Sequence, residues 1–137
     1  MFVYNTLLAF AAAAVATLVQ VHAQTTPVCH RSYTVQAGDF CDGISAAQNV
    51  STYQLSNVNP TINQACTNLF VGQSLCLGLV GQDCDKVHVV AAGDGCWSIA
   101  NDAGISLADL YANNPNVNSA DCSNIYGGEV LCIAPRS

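Results

Sequence analysis

The chain has 137 residues, 51% of them hydrophobic and 9% charged, with a net charge of −6 and eight cysteines. Three cationic side chains form no basic stripe, which excludes nucleic acid and anionic membrane surfaces as partners, because phosphate counterions would not be displaced. An uncharged glycan meets no such penalty.

The first element is a leader. From Leu7 to Val21 the sequence LLAFAAAAVATLVQV carries no charge and runs into Val-His-Ala at residues 21–23. A short apolar run ending in small-x-small is a secretory signal pattern, and a spanning helix needs about 20 apolar residues. We therefore expect a signal peptide over 1–23, cleavage after Ala23 and a secreted, extracellular or wall-associated protein. All eight cysteines, Cys29, Cys41, Cys66, Cys76, Cys84, Cys96, Cys122 and Cys132, lie beyond it. An even number in a small secreted chain implies disulfides. No Cys-x-x-Cys pair occurs, so no zinc is expected, and no other metal or cofactor.

The cysteines state a duplication. Their steps are 12, 25 and 10 residues in the first copy and 12, 26 and 10 in the second. Between them the copies agree at Val35/Val90, Gly38/Gly93, Asp39/Asp94, Ile44/Ile99, Ser51/Ser106, Leu55/Leu110, Asn59/Asn114, Pro60/Pro115, Asn63/Asn118, Gly72/Gly128 and Leu75/Leu131. Two copies are too few for a solenoid. The reading is two tandem modules, 29–77 and 84–133, joined by the linker 78–83, which is short and leaves some freedom between them.

Within each copy the predicted order is strand, helix, helix, strand. Residues 32–35 (SYTV) and 87–90 (VHVV) alternate and favour strand. Asp39 and Asp94 follow in a Gly-Asp turn and are placed to cap a helix, with ligand contact as the second reading. The helices run to Gln48 and Ala103, and Asn49 and Gly104 occupy the left-handed stop position. Ser51-x-x-Gln54 and Ser106-x-x-Asp109 read as capping boxes opening a second helix. Pro60 and Pro115 end it. Residues 74–77 (SLCL) and 130–133 (VLCI) are closing strands, antiparallel to the opening ones. The fold class is α+β, two small βααβ modules.

Such a unit is too small for a core alone to hold it. Two disulfides per module, each contributing roughly 2–4 kcal/mol, would compensate. Bridges are expected within a copy, which leaves nine connectivities open. Ile44, Ile99, Leu55 and Leu110 read as core, His30 and His88 as exposed polar residues. Trp97 is either a sugar platform or part of the core. Asn49-Val50-Ser51 is a glycosylation sequon in an exposed turn. Glycoside hydrolysis usually needs two carboxylates across a cleft; the chain has one glutamate, Glu129, placed in a closing strand, and no enzyme is expected.

The spaced constellation resembles the LysM domain. The motifs YTVQAGDFC, NPTIN and CTNLFVGQSLC in the first copy, and HVVAAGDGCWSIA, NPNVN and CSNIYGGEVLC in the second, look like the cysteine-bearing fungal LysM proteins. The resemblance spans residues 29–133. It implies a βααβ fold and binding of N-acetylglucosamine polymers: chitin, its oligomers or peptidoglycan. Carried over, the first groove sets Gly38, Asp39, Phe40, Cys41 and Asp42 against Pro60, Thr61, Ile62 and Asn63. The second sets Gly93, Asp94, Gly95, Cys96 and Trp97 against Pro115, Asn116, Val117 and Asn118. Phe40 and Gly95 depart from the small hydroxyl residue common there, and His88 stands where the first copy has Tyr33. The implied roles are an effector sequestering chitin fragments from host receptors, a wall coat shielding hyphal chitin, or a peptidoglycan binder. A disulfide-rich inhibitor or toxin is the reading from cysteine content alone. Two modules on one polymer would gain avidity, or assemble a dimer on the ligand.

Overall fold

A computed structural model describes residues 13–16 and 26–135. Apart from residues 13–16, the leader read at 1–23 lies outside the described residues. Eight elements follow: β1 (Cys29–Thr34), α1 (Cys41–Gln48), α2 (Thr52–Val58), β2 (Ser74–Leu79), β3 (Val87–Val89), α3 (Cys96–Ala103), α4 (Leu107–Asn113) and β4 (Val130–Cys132). The strands β1 and β2 form one antiparallel pair and β3 and β4 another, so each module is a two-stranded sheet under two helices. No helix among the described residues is long and apolar enough to cross a membrane.

Each module has its own core. Val35, Ile44, Val50, Leu55, Ile62, Leu75 and Leu77 are buried together in the first. Val90, Ile99, Ala100, Leu110, Val117 and Leu131 do the same in the second, with Cys96. The four disulfides are Cys29–Cys76, Cys41–Cys66, Cys84–Cys132 and Cys96–Cys122, all eight cysteines being paired within their own copy. The outer pair fastens β1 to β2 in the first copy, and in the second it fastens the segment leading into β3 to β4. The inner pair fastens the start of the first helix to the loop before the closing strand.

The helix ends follow local chemistry. Asn49 (φ 51°) and Gly104 (φ 70°) take the left-handed stop position, which an asparagine or glycine tolerates best. Ser51 and Ser106 cap α2 and α4, accepting from the Gln54 and Asp109 backbone N–H at 3.0 Å. The reciprocal half of a capping box is absent. Gln54 turns away to Leu77 O and Asp83, and the Asp109 carboxylate accepts from the Ser106 hydroxyl instead.

Two expectations are corrected. Asp39 and Asp94 are not helix caps: the cap positions are Phe40 and Gly95. Each aspartate faces backward, because its carboxylate is already engaged by the amide three residues upstream. Glu129 is not in the closing strand but immediately before β4, and it is buried at 2% exposure.

The linker is also less free than its glycines imply. Gly78 and Leu79 extend β2. Asp83 accepts from Arg31 at 2.6 and 2.8 Å and from Gln54 at 2.8 Å, and the Cys84 N–H donates to the Gln54 side chain at 2.9 Å. Arg31 in turn donates to the Gln48 and Asn49 carbonyls at the end of α1. The chain entering the second module is thereby fixed to β1, α1 and α2 of the first.

Candidate glycan-binding site

The turn after β1 is built by its aspartate. In the first module Asp39 Oδ2 accepts from the Gln36 N–H at 2.7 Å and the Tyr33 hydroxyl at 2.8 Å. In the second, Asp94 Oδ2 accepts from the Ala91 N–H at 2.8 Å and meets His88 Nε2 at 2.7 Å. His88 thus takes over the Tyr33 contact, which is why the exchange is tolerated. The Ala91 amide, and after it the His88 bond, hold the Asp94 carboxyl below its ordinary range. Gly38 (φ 88°) and Gly93 (φ 90°) supply the left-handed residue these turns need.

The opposing loop hangs from a buried asparagine. Asn59 donates to Leu55 O and Cys76 O at 2.7 and 2.6 Å and accepts from the Cys76 N–H at 2.8 Å. Asn114 repeats this with Leu110 and Cys132, each bond 2.8 Å. These residues tie the end of the second helix to the closing strand. Asn63 is braced internally: its side chain donates to Thr67 Oγ1 and accepts from the Thr67 N–H, while its own N–H donates to Asn68. Asn118 is held by Asn124 in the same way at its backbone.

A hollow of about 280 Å³ opens where these parts meet. It is lined by Cys41, Asp42, Ile62 and Asn63 of the expected first groove, and by Thr52, Tyr53, Leu55, Ser56, Gln64, Ala65 and Cys66. Asn116 and Tyr126 of the second module complete its wall. Gly38, Asp39, Phe40, Pro60 and Thr61 do not line it. Of the expected second groove only Asn116 reaches this hollow. Gly93, Asp94, Gly95, Cys96, Pro115, Val117 and Asn118 stay in their own module's turns. Trp97 is 68% exposed, which removes its core reading, and it borders a separate hollow of about 260 Å³.

The wall between modules is a hydrogen-bonded chain. Asp42 accepts from the Thr52 hydroxyl at 2.9 Å and the Tyr126 hydroxyl at 3.1 Å. The Thr52 hydroxyl accepts from the Val130 N–H at 3.0 Å. Behind it Glu129 accepts from Asn116 Nδ2 at 2.6 Å and the Tyr126 N–H at 3.3 Å. Burial, and next the Asp42 charge, push the Tyr126 phenol up to about 12, so it stays a neutral donor. Burial likewise raises the Glu129 carboxyl above its ordinary range.

The sequence reading missed Thr52, Tyr53, Ser56, Gln64 and Ala65 on the first module's wall and Tyr126 on the second's; only Tyr126 had a signal. Its signal was the difference between copies: the first has Phe70 at the matching place, and only the second carries the hydroxyl that reaches Asp42.

The LysM domain profile matches residues 33–78 and 88–134. The secreted LysM effector LysM1 of Trichophyton rubrum is 34% identical over 128 residues, covering 77% of this chain and 50% of its own length. The secreted LysM effector ldpB of Aspergillus fumigatus is 31% identical, covering 77% and 42%. The secreted LysM effector Blys8 of Beauveria bassiana is 31% identical, covering 77% and 34%. The chain thus spans half or less of the length of these relatives. With two matched stretches making up most of its residues, and a βααβ fold in each, the chain belongs to the LysM domain family.

Proposed function

We propose that this is a secreted, non-catalytic glycan-binding protein whose ligand is chitin or its N-acetylglucosamine oligomers. The observation that carries the reading is the stapled hollow between Cys41–Cys66 and Tyr126. Its lining combines amides (Asn63, Gln64, Asn116), hydroxyls (Thr52, Ser56, Tyr126) and the apolar Ile62, Leu55 and Ala65. An N-acetylglucosamine unit offers the complement: an acetamide, hydroxyls, a methyl group and an apolar ring face. The disulfide fixes the loops beforehand, which lowers the ordering cost of binding.

The acidic surface disfavours an anionic ligand and does not penalise a neutral one, and the one carboxylate in the hollow is already engaged by two hydroxyls. Catalysis is disfavoured by the same geometry. Among the described residues Glu129 is the only carboxyl with a raised pKa, yet it is buried, bonded to Asn116 and the Tyr126 amide, and not part of the lining. The relatives carry the name of secreted effectors, and the role that follows is sequestration of chitin fragments from host receptors. Coating of hyphal chitin uses the same chemistry.

Retention on insoluble chitin, set beside cellulose and peptidoglycan, tests the reading. Retention on chitin that persists in high salt is expected, because a neutral ligand leaves nothing to screen. Elution by salt, or preference for peptidoglycan, would overturn it. Asn49 is exposed at the end of α1 with its side chain outward from the core, and we propose that it carries an N-linked glycan.

A further inference from the structure

We propose that the chain associates head to tail with a second copy of itself, repeating between copies the contact that already joins its two modules. Within one chain, Asp42 and Thr52 of the first module receive Tyr126 and Val130 of the second. The duplication gives each of these a counterpart. Asp42 corresponds to Trp97, Thr52 to Leu107, Tyr126 to Phe70 and Val130 to Ser74. Among the described residues, none bonds across modules to the receiving face of the second module or the inserting face of the first.

At three of these four positions the outer faces carry an apolar side chain where the internal contact has a polar one, and at the fourth Ser74 stands in place of Val130. Where the internal contact sets a carboxylate against a phenol, the outer faces present an indole and a phenyl ring. Trp97 is 68% exposed, Phe70 64% and Val71 66%. Beside Trp97 lies the hollow of about 260 Å³, edged by Ile105 and Leu107. Trp97 and Leu107 in its lining are the counterparts of Asp42 and Thr52. No charged residue lines it, and none occurs from Leu69 to Gln73. Aromatic rings buried on one another supply the attraction that the ion and hydroxyl supply inside the chain.

The contact is heterologous: the face of one copy meets a different face of the next. Such contacts do not close on themselves at two copies and extend instead into open chains. The net charge of −6 on every copy opposes association, so added salt should strengthen it. No glycan is required, which separates this contact from assembly on a polymer.

Sedimentation velocity of the sugar-free protein, up to about 1 mM, reads the association. The average mass should climb with concentration, and more steeply in salt, without stopping at a dimer. Phe70→Asp and Trp97→Asp each disable one face and should each remain monomeric. Mixed in equal amounts they should form 1:1 dimers and nothing larger, through the intact Trp97 of one and the intact Phe70 of the other. A wild-type protein that stays monomeric overturns the proposal. So does either variant associating alone, or a mixture that stays monomeric. If a variant fails to fold, Val71→Asp and Trp97→Ser disable the same two faces at exposed positions and are read in the same way.

Discussion

Replacing Asn114 by alanine should unfold the second module far more easily than its small volume change suggests. The side chain is fully buried and makes three hydrogen bonds, to Leu110 O, Cys132 O and the Cys132 N–H. Each contributes about 1 kcal/mol net, and each buried group left unpaired costs about 1–3 kcal/mol. The loss should be about 3 kcal/mol, a large share of the stability of so small a unit. Urea unfolding with the disulfides intact, followed by the fluorescence of Trp97, the single tryptophan, reports on this module directly. Asn114→Asp sharpens the test. It keeps the acceptor but removes both donors and buries a charge, so at neutral pH it should be at least as damaging as alanine. Acid should partly rescue it, because a protonated carboxyl regains one donor. A loss below about 0.5 kcal/mol for Asn114→Ala, or no acid rescue of Asn114→Asp, would refute the idea that this side chain ties α4 to β4.

Glu129→Gln should abolish the fall in melting temperature that the native protein shows as pH rises through the folded Glu129 pKa, at the cost of setting an amide NH2 against one of its two donors. Burial raises the folded pKa of Glu129, so the native carboxyl loses stability as pH climbs from its ordinary value through the folded one, and an amide does not titrate. Asp83→Asn should act with the opposite sign. The Arg31 bond lowers the Asp83 pKa, so its stabilisation is present above the ordinary carboxylate value and lost as pH falls through the folded one. The substitution should cost about 1 kcal/mol at neutral pH, after allowing for solvent screening, and should flatten the acid limb of a pH–stability curve. Gly38→Ala should cost about 1–2 kcal/mol because its φ of 88° is left-handed. Gly127→Ala, where φ is not positive and the added Cβ meets nothing, should be close to neutral in the same thermal melt.

The fold was legible because it is written in local signals stated twice. Alternation at residues 32–35 and 87–90, the stops at Asn49 and Gly104 and the prolines at 60 and 115 each act within a few residues. The cysteine connectivity was not legible, since it depends on which Cβ atoms the folded strands bring together. Asp39 and Asp94 were misread because a carboxylate one residue before a helix can bond forward or backward. Only the tight Gly38 and Gly93 turns settle that in favour of Gln36 and Ala91. The candidate site was half legible. Cys41, Asp42, Ile62 and Asn63 could be found within one copy, but Asn116 and Tyr126 reach the same hollow from more than fifty residues away. Symmetry between the copies argued for two equivalent grooves, and the contact between modules breaks that symmetry.

The most direct measurement is calorimetry of N-acetylglucosamine oligomers of increasing length, on the native protein and on Tyr126→Ala. Binding of the native protein should be insensitive to salt and tighten with length. Loss of the Tyr126 ring from the hollow should weaken it about tenfold or more, as removal of a contact worth about 1–2 kcal/mol implies. The absence of heat with every oligomer, or equal affinity for the native protein and the variant, would contradict a glycan site built jointly by the two modules.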